Sequence, residues 1–221
     1  VITGRDGDDF IKASSARISV AMLERHLTNI LAGLYSLAGT PDVAIVENLV
    51  QSSPALAKYS FQGVPDIRIV VFQGYPGMAM LRLATTASDG KANLHQGAVG
   101  VGLDIGSGQS LNAVQFNRPI TLHPDTGLAL ENIQIEDWEN MLEMAARCYE
   151  ATGLGYMGVD LVVDANEGPL LLELNARPGL AIQMANGCGL LPRLNAIESL
   201  KRPHFSPRER ALFAMESFAR R

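Results

Sequence analysis

Cysteine is scarce: the 221-residue chain has only Cys148 and Cys188. Neither has a Cys or His partner at zinc-ligand spacing, which excludes a disulfide framework and a structural zinc module and fits a reducing, cytoplasmic setting. No apolar run approaches the roughly 20 residues that span a bilayer, and the polar, Asp-rich start is unlike a signal peptide. Basic runs are absent apart from Arg208, Arg210 and Arg220-Arg221, and the net charge is −5, so neither nucleic acid nor a membrane surface is an expected partner. The chain also lacks a GxGxxG or P-loop pattern. What it does have is 47% hydrophobic and 19% charged residues, enough to bury a core as one large or two small domains.

The informative stretch is Gly158 to Gly179. Val159, Leu161 and Val163 alternate with Asp160 and Val162, and after the polar turn Asp164 to Gly168 a second strand-like run covers Pro169 to Asn175. This predicts a β-hairpin. With the turn centred between Asn166 and Glu167, Asp160 falls opposite Glu173, and Asn175 projects from the same face. Facing carboxylates repel unless one is protonated or a cation lies between them. Oxygen ligands from a few residues, with an open remaining shell, suit Mg²⁺ completed by water and phosphate, with Mn²⁺ also compatible. The same residues would equally serve as the solvated face of a sheet. The flank Asn175-Ala-Arg-Pro-Gly179 argues for a site, because a turn specified by Pro and Gly holds Arg177 beside the acidic pair, suited to bidentate phosphate or carboxylate recognition.

Elsewhere, Val1 to Arg5 starts in mid-pattern, as if a strand had been cut from a longer chain. An Asp-rich turn over Asp6 to Asp9 follows. Ser14-Ser15 is a break, and Leu23, Leu27, Ile30, Leu31, Leu34 and Leu37 predict an amphipathic helix ended by Gly39-Thr-Pro41. Val43 to Val50 reads as a buried strand. Pro65 to Gln73 and Met78 to Ala84 predict a hairpin around Gly74 to Gly77, with Arg68 and Arg82 sharing a face only in the right register. Lys91, Asn93 and His95 lie in a glycine-containing loop that suits an anion or acceptor site. Short strands are expected over Val99 to Leu103 and Leu111 to Phe116, and a helix over Glu136 to Thr152 that buries Cys148. Leu180 to Leu194 reads as a loop near the same site. Ser206-Pro-Arg-Glu209 is a capping box opening a C-terminal helix.

Gly158-Val-Asp160 followed by Leu172-Glu-Leu-Asn-Ala-Arg-Pro-Gly179 resembles the ATP-grasp superfamily. The nearest branch is similar to α-L-glutamate ligases that add glutamate to peptide or protein C-termini, with Asp66-Ile-Arg68, Arg82 and Asn93-Leu-His-Gln-Gly97 in matching order. The resemblance implies an α+β fold of antiparallel sheets with packed helices. Residues 1–50 would be a remnant of the small subdomain, and 51–221 the large subdomain with the metal and phosphate site. It implies Asp160, Glu173 and Asn175 as Mg²⁺ ligands, and backbone around Glu47, Asn48, Leu49 and Val50 as the adenine-reading hinge. Arg68, Arg82 and Arg177 would face phosphates and a developing acyl phosphate, with Lys91, Asn93 and His95 near phosphate or the carboxylate substrate. The implied partners are ATP, a carboxylic acid and an amine acceptor, namely an amino acid, peptide or protein C-terminus; a homo-oligomer is compatible.

The departure lies at the front. The preceding α/β domain, strand lysine and glycine-rich phosphate lid of such chains have no counterpart before Val1, and Lys12 stands too late to replace that lysine. The expectation is an N-terminally truncated chain with an intact metal site. Two further readings accompany the ligase: a non-catalytic nucleotide-binding or interaction domain of the same fold, and an ATP-grasp ligase of cell-envelope or glycan synthesis.

Overall fold

The computed structural model describes residues 2–12, 15–200 and 205–220; Val1, Ser14 and Arg221 fall outside them. The chain divides into two compact units, Val1–Val50 and Gln51–Arg221.

The first unit holds strands β1 (Ile2–Asp6), β2 (Asp9–Lys12) and β3 (Arg17–Ser19), an antiparallel meander, followed by helix α1 (Val20–Leu31). Ser19 caps α1 by accepting from the Met22 amide. The helix ends sooner than its leucine spacing predicts. Gly33 takes a left-handed φ of 79°, and a side chain there would collide with the Thr40 carbonyl, so the chain turns away and leaves Leu34 65% exposed. The expected buried strand Val43–Val50 is absent: the segment pairs with no ladder, and Ile45 and Val46 are 79% and 88% exposed. An apolar run specifies burial without specifying a partner, and a strand needs a neighbour to take up its N–H and C=O groups.

The second unit is built on a seven-stranded antiparallel sheet in the order β10-β9-β4-β5-β6-β7-β8. Its strands are β4 (Asp66–Phe72), β5 (Tyr75–Leu83), β6 (Val99–Leu103), β7 (Ser110–Gln115), β8 (Arg118–Ile120), β9 (Tyr156–Asp164) and β10 (Gly168–Asn175). The short helix α2 (Pro54–Ala57) precedes them. The β4–β5 turn is tighter than expected: Gln73 and Gly74, both at positive φ, form it alone, so Tyr75 already pairs with Phe72. The helices are α3 (Trp138–Thr152), α4 (Ile182–Asn186), α5 (Leu191–Glu198) and α6 (Pro207–Phe218). The stretch expected as a loop over Leu180 to Leu194 therefore contains α4 and the start of α5. The capping box forms as expected, Ser206 accepting from the Glu209 amide while the Glu209 carboxylate accepts from the Ser206 amide.

Period-two alternation splits this sheet into two chemistries. Most odd-numbered residues of β4, β5, β6 and β9 line the main core, with Ile67, Ile69, Leu81, Leu83, Val101, Val159 and Leu161 fully buried there against Met141, Leu142 and Ala145 of α3 and Ala211 and Ala214 of α6. Even-numbered residues face the other way. There, Val70, Met78 and Met80 pack under Ile182 and Leu190, while Asp66, Arg68, Arg82 and Asp160 occupy the rest of the face. Gly102 lets α4 lie on the sheet, since any β-carbon there would overlap the Ala185 carbonyl.

The β9–β10 turn is fixed by Asp164, whose carboxylate accepts from the amides of Asn166, Glu167 and Gln51. These bonds from Asn166, Gln51 and Glu167 hold the Asp164 carboxyl below the usual carboxylate range. A depressed folded-state pKa contributes stability above the unfolded value and loses it as pH falls through the folded one. Asp164→Asn is accordingly expected to melt below the wild type at neutral pH, with the gap closing below about pH 3.8, measured by circular dichroism across a pH series.

Candidate functional site

Four adjacent strands carry the polar part of the even-numbered face. The register sets Asp160 opposite both Arg68 and Glu173, Asp66 opposite Arg82, and Asn175 opposite Gly158. Arg68 and Arg82 thus share a face, the alternative the sequence left open. The β9–β10 pairing reaches the expected Asp160–Glu173 register by a different route. Near the turn Gly168 pairs with Asp164 and Leu171 with Leu161, a ladder that would set Leu172 opposite Asp160; a bulge at Leu172 shifts the pairing by one residue.

The carboxylates are neutralised from within the protein. Arg68 grips Asp160 with two bonds, Nε to Oδ1 at 2.7 Å and Nη2 to Oδ2 at 2.5 Å. Arg82 grips Asp66 the same way, at 2.5 and 2.8 Å, and extends Nη2 to Asp160 Oδ2 at 2.7 Å. The Asn175 amide donates to Asp160 Oδ2 at 3.2 Å and to Glu173 Oε1 at 3.0 Å, and Arg68 Nη2 lies 3.9 Å from Glu173. The repulsion that suggested a metal from sequence is therefore met first by two guanidinium groups. Such a network needs every member: removing one partner of a buried pair costs about 3–5 kcal/mol because the other charge is left alone.

Burial of Asp66 pushes its carboxyl up to about 7 despite the Arg82 clamp, with the nearby Asp160 charge adding to the rise. Burial acts upward on Asp160 too, but the Arg68 hydrogen bond and the charges of Arg82 and Arg68 outweigh it and hold that carboxyl below its ordinary range. Burial would lower the pKa of Arg82, but its carboxylate partners raise it, so the guanidinium stays charged.

In front of this network lies an open cavity of about 780 Å³. Asp66, Arg68, Arg82, Glu173 and Asn175 form one side; Lys91, Ala92, Asn93, His95, Gln96, Leu172, Arg177 and Gly179 complete the lining. The three arginines, the Lys91 loop residues and two of the three acid-amide residues named from sequence thus line one space, with Asp160 directly behind it. Arg177 is exposed and has no carboxylate partner among the described residues, whereas Lys91 lies 3.7 Å from Asp89. Asn93 uses its side-chain oxygen to cap its own 3₁₀ turn, Leu94–Gln96, accepting from the His95 amide.

Glu47, Asn48, Leu49 and Val50 belong to the first unit, in its exposed unpaired segment. Asn186 to Cys188, expected near the same site, instead line a separate cleft with Asp104, Arg193 and Phe218. Two residues of the quoted motifs line or underlie the site although the sequence reading gave them no role there. Asp66 was legible as a second charge two residues from Arg68 in an apolar strand. Gly158 lies beneath the site, where a β-carbon would come within 2.8 Å of Pro178 Cβ and 3.5 Å of Arg68 Nε.

Among the described residues no group of three or more His, Cys, Asp or Glu side chains is placed to hold a metal ion. The donor set of Asp160, Glu173 and Asn175 still fits a hard cation, since two carboxylates and an amide share one face and Glu173 is exposed. Such a cation would need the Asn175 amide turned to present its oxygen.

The chain matches, over residues 1–199, the model of the family described as sugar-transfer associated ATP-grasp. It belongs to that family. The fold is accordingly the ATP-grasp fold, as the resemblance implied. A search of curated proteins gives no match. Among solved structures, the chain is similar to that of the ATP-grasp ligase PsnB complexed with minimal precursor, at 18% identity, a TM-score of 0.27, and coverage of 69% of this chain and 34% of that one. The chain thus spans about a third of the length of that structure.

Two outcomes test the electrostatics of this site. Asp66, followed by ¹³C NMR of its carboxyl, is expected to titrate near 7. Because a raised folded-state pKa favours the protonated form, the stabilising contribution is full below about pH 3.8 and is lost as pH rises to about 7. Asp66→Asn should flatten that descending limb in a plot of melting temperature against pH. Gly158→Ala should displace Pro178 and loosen the Arg177 turn, seen as faster amide hydrogen exchange over residues 176–179 than the loss of melting temperature implies.

Proposed function

We propose that the protein is an ATP-dependent carboxylate–amine ligase acting through an acyl phosphate. The observation that carries this reading is the single cavity on which Arg68, Arg82, Glu173, Asn175, Arg177, Lys91 and His95 converge, with Asp160 behind it. Its fixed cations suit an anionic phosphate donor and a carboxylate acceptor. Asp160, Glu173 and Asn175 would hold Mg²⁺. When bound, it would supply charge neutralisation for the transferring phosphoryl group.

In this reading, residues 51–221 are the large subdomain and residues 1–50 the part of the small one that carries the adenine-reading backbone of Glu47 to Val50. Arg177, without a carboxylate partner among the described residues, receives the anion that arrives, whereas Arg82 holds Asp66 and Asp160 in place. His95 and Lys91 line the same space and orient the acid. The amine then attacks the acyl phosphate, forming the C–N bond and releasing phosphate with its electron pair. The acceptor proposed from the glutamate ligase resemblance is an amino acid or a peptide or protein C-terminus.

The family description, sugar-transfer associated, favours a second reading of the same chemistry in which the ligase serves cell-envelope or glycan synthesis. Substrate panels separate the two. ADP release should appear with Mg²⁺, ATP and one acid–amine pair, peptide-derived in the first reading and glycan-derived in the second. Glu173→Ala should lower kcat by at least about 100-fold, the scale of losing one electrostatic stabiliser of a transition state, while Arg177→Ala should raise KM for the acid. ADP release at the wild-type rate in Glu173→Ala would remove the metal role. No turnover with any pair, together with Mg·ATP binding by calorimetry, would instead establish a non-catalytic nucleotide-binding domain.

A further inference from the structure

Asp160 is at once a proposed metal ligand and the most heavily engaged carboxylate of the site. Its side chain is fully buried, and its two oxygens differ. Oδ1 accepts one bond, from Arg68 Nε; Oδ2 accepts from Arg68 Nη2, Arg82 Nη2 and Asn175 Nδ2. The two arginines also differ. Arg82 has a second carboxylate of its own, Asp66, gripped through Nε and Nη2, and would stay paired if it lost Asp160. Among the described residues Arg68 has no such anchor: beyond Asp160 it reaches only Glu173, at 3.9 Å. It lines the cavity, and Gly158 beneath it has no side chain to fix its path.

We propose that Arg68 is an exchangeable counter-ion, a positioning residue that holds Asp160 until a divalent cation takes its place and is then freed toward the cavity. The inference rests on the metal assignment of the preceding subsection and goes further by naming which protein group leaves. Departure of Arg68 clears Oδ1 entirely and leaves Oδ2 with Arg82 and, until its amide turns, Asn175, so the carboxylate stays oriented while one oxygen becomes available. The freed guanidinium adds a cation to the wall of a cavity that already holds Arg177. Metal and anion binding are thereby coupled in the favourable direction, since cation entry both relieves Glu173 and presents Arg68 to a phosphate or carboxylate. The metal-free site, in turn, is protected from the repulsion of Asp160 and Glu173 by a charge the chain carries itself.

The test uses divalent cation alone, without nucleotide. Mn²⁺ binding followed by electron paramagnetic resonance is expected to tighten by about tenfold or more in Arg68→Ala, the scale of one charge-assisted hydrogen bond. Arg177→Ala removes an equal charge from the same cavity without touching Asp160 and should change the affinity far less. In the wild-type chain, the ¹⁵Nε–H signal of Arg68 should lose its protection from solvent exchange when Mg²⁺ is added, while that of Arg82 keeps it; this arm stands even if Arg68→Ala folds poorly. Equal tightening in both variants, or an Arg68 signal unmoved while Mg²⁺ binds, overturns the exchange and leaves the metal site standing. Cation binding absent from wild type and variant alike overturns the metal site itself, and the exchange with it.

Discussion

The fully buried carboxylate of Asp160 is the constraint on which the site depends. A charge in that position is tolerated only when hydrogen-bonded and paired, and two arginines, one from the adjacent strand β4 and one from β5 beyond it, supply both. That requirement fixes the rest of the local arrangement. Arg68 must lie across the ladder on β4, Arg82 one strand further on β5, and Asp66 beside Arg82 to balance the second guanidinium. The antiparallel register delivers all of this because charges spaced by two on one strand meet charges spaced by two on the next.

The same alternation explains how one sheet serves two purposes. Its odd-numbered face is a continuous apolar surface under α3 and α6, and its even-numbered face is part packing surface, part ionic network. Helix α4 and the Leu190 region cover only the methionine-rich portion, leaving the charged portion open to the cavity. Stability and chemistry are thus written on alternate residues of the same strands. A substitution that respects side-chain size on one face can leave the other undisturbed.

Much of this was legible in the sequence where local rules are strong. The Gly158 to Gly179 hairpin, the β4–β5 pair, the helix ended by Gly153 and the Ser206 capping box follow from turn chemistry and periodicity. The misreadings share a physical cause. Val43 to Val50 is apolar enough for a strand, but pairing partners are a tertiary property, and none is supplied to it by the described residues. Leu34 continues a helical spacing that Gly33 breaks through backbone conformation rather than hydrophobicity. In the site, the residue types were readable while their pairing was not: the acidic cluster suggested an external cation because the register that brings Arg68 and Arg82 onto Asp160 lies between segments almost 80 or more residues apart. Family membership supports the ATP-grasp frame, and the chemistry within it rests on these side chains.

The Leu172 bulge has a wider meaning for how such a site can vary. In a regular strand successive side chains point to opposite faces, so Leu172 and Glu173 could not both border one cavity; the extra residue breaks that parity and lets an apolar group and a charged group stand side by side on its wall. Shape and charge are therefore coded separately along β10. A chain one residue shorter at that point would keep Glu173 facing Asp160 in an unbroken ladder and lose only the apolar shoulder. The identity and presence of a single bulged residue can thus retune which molecule fits the cavity without disturbing the ionic frame behind it.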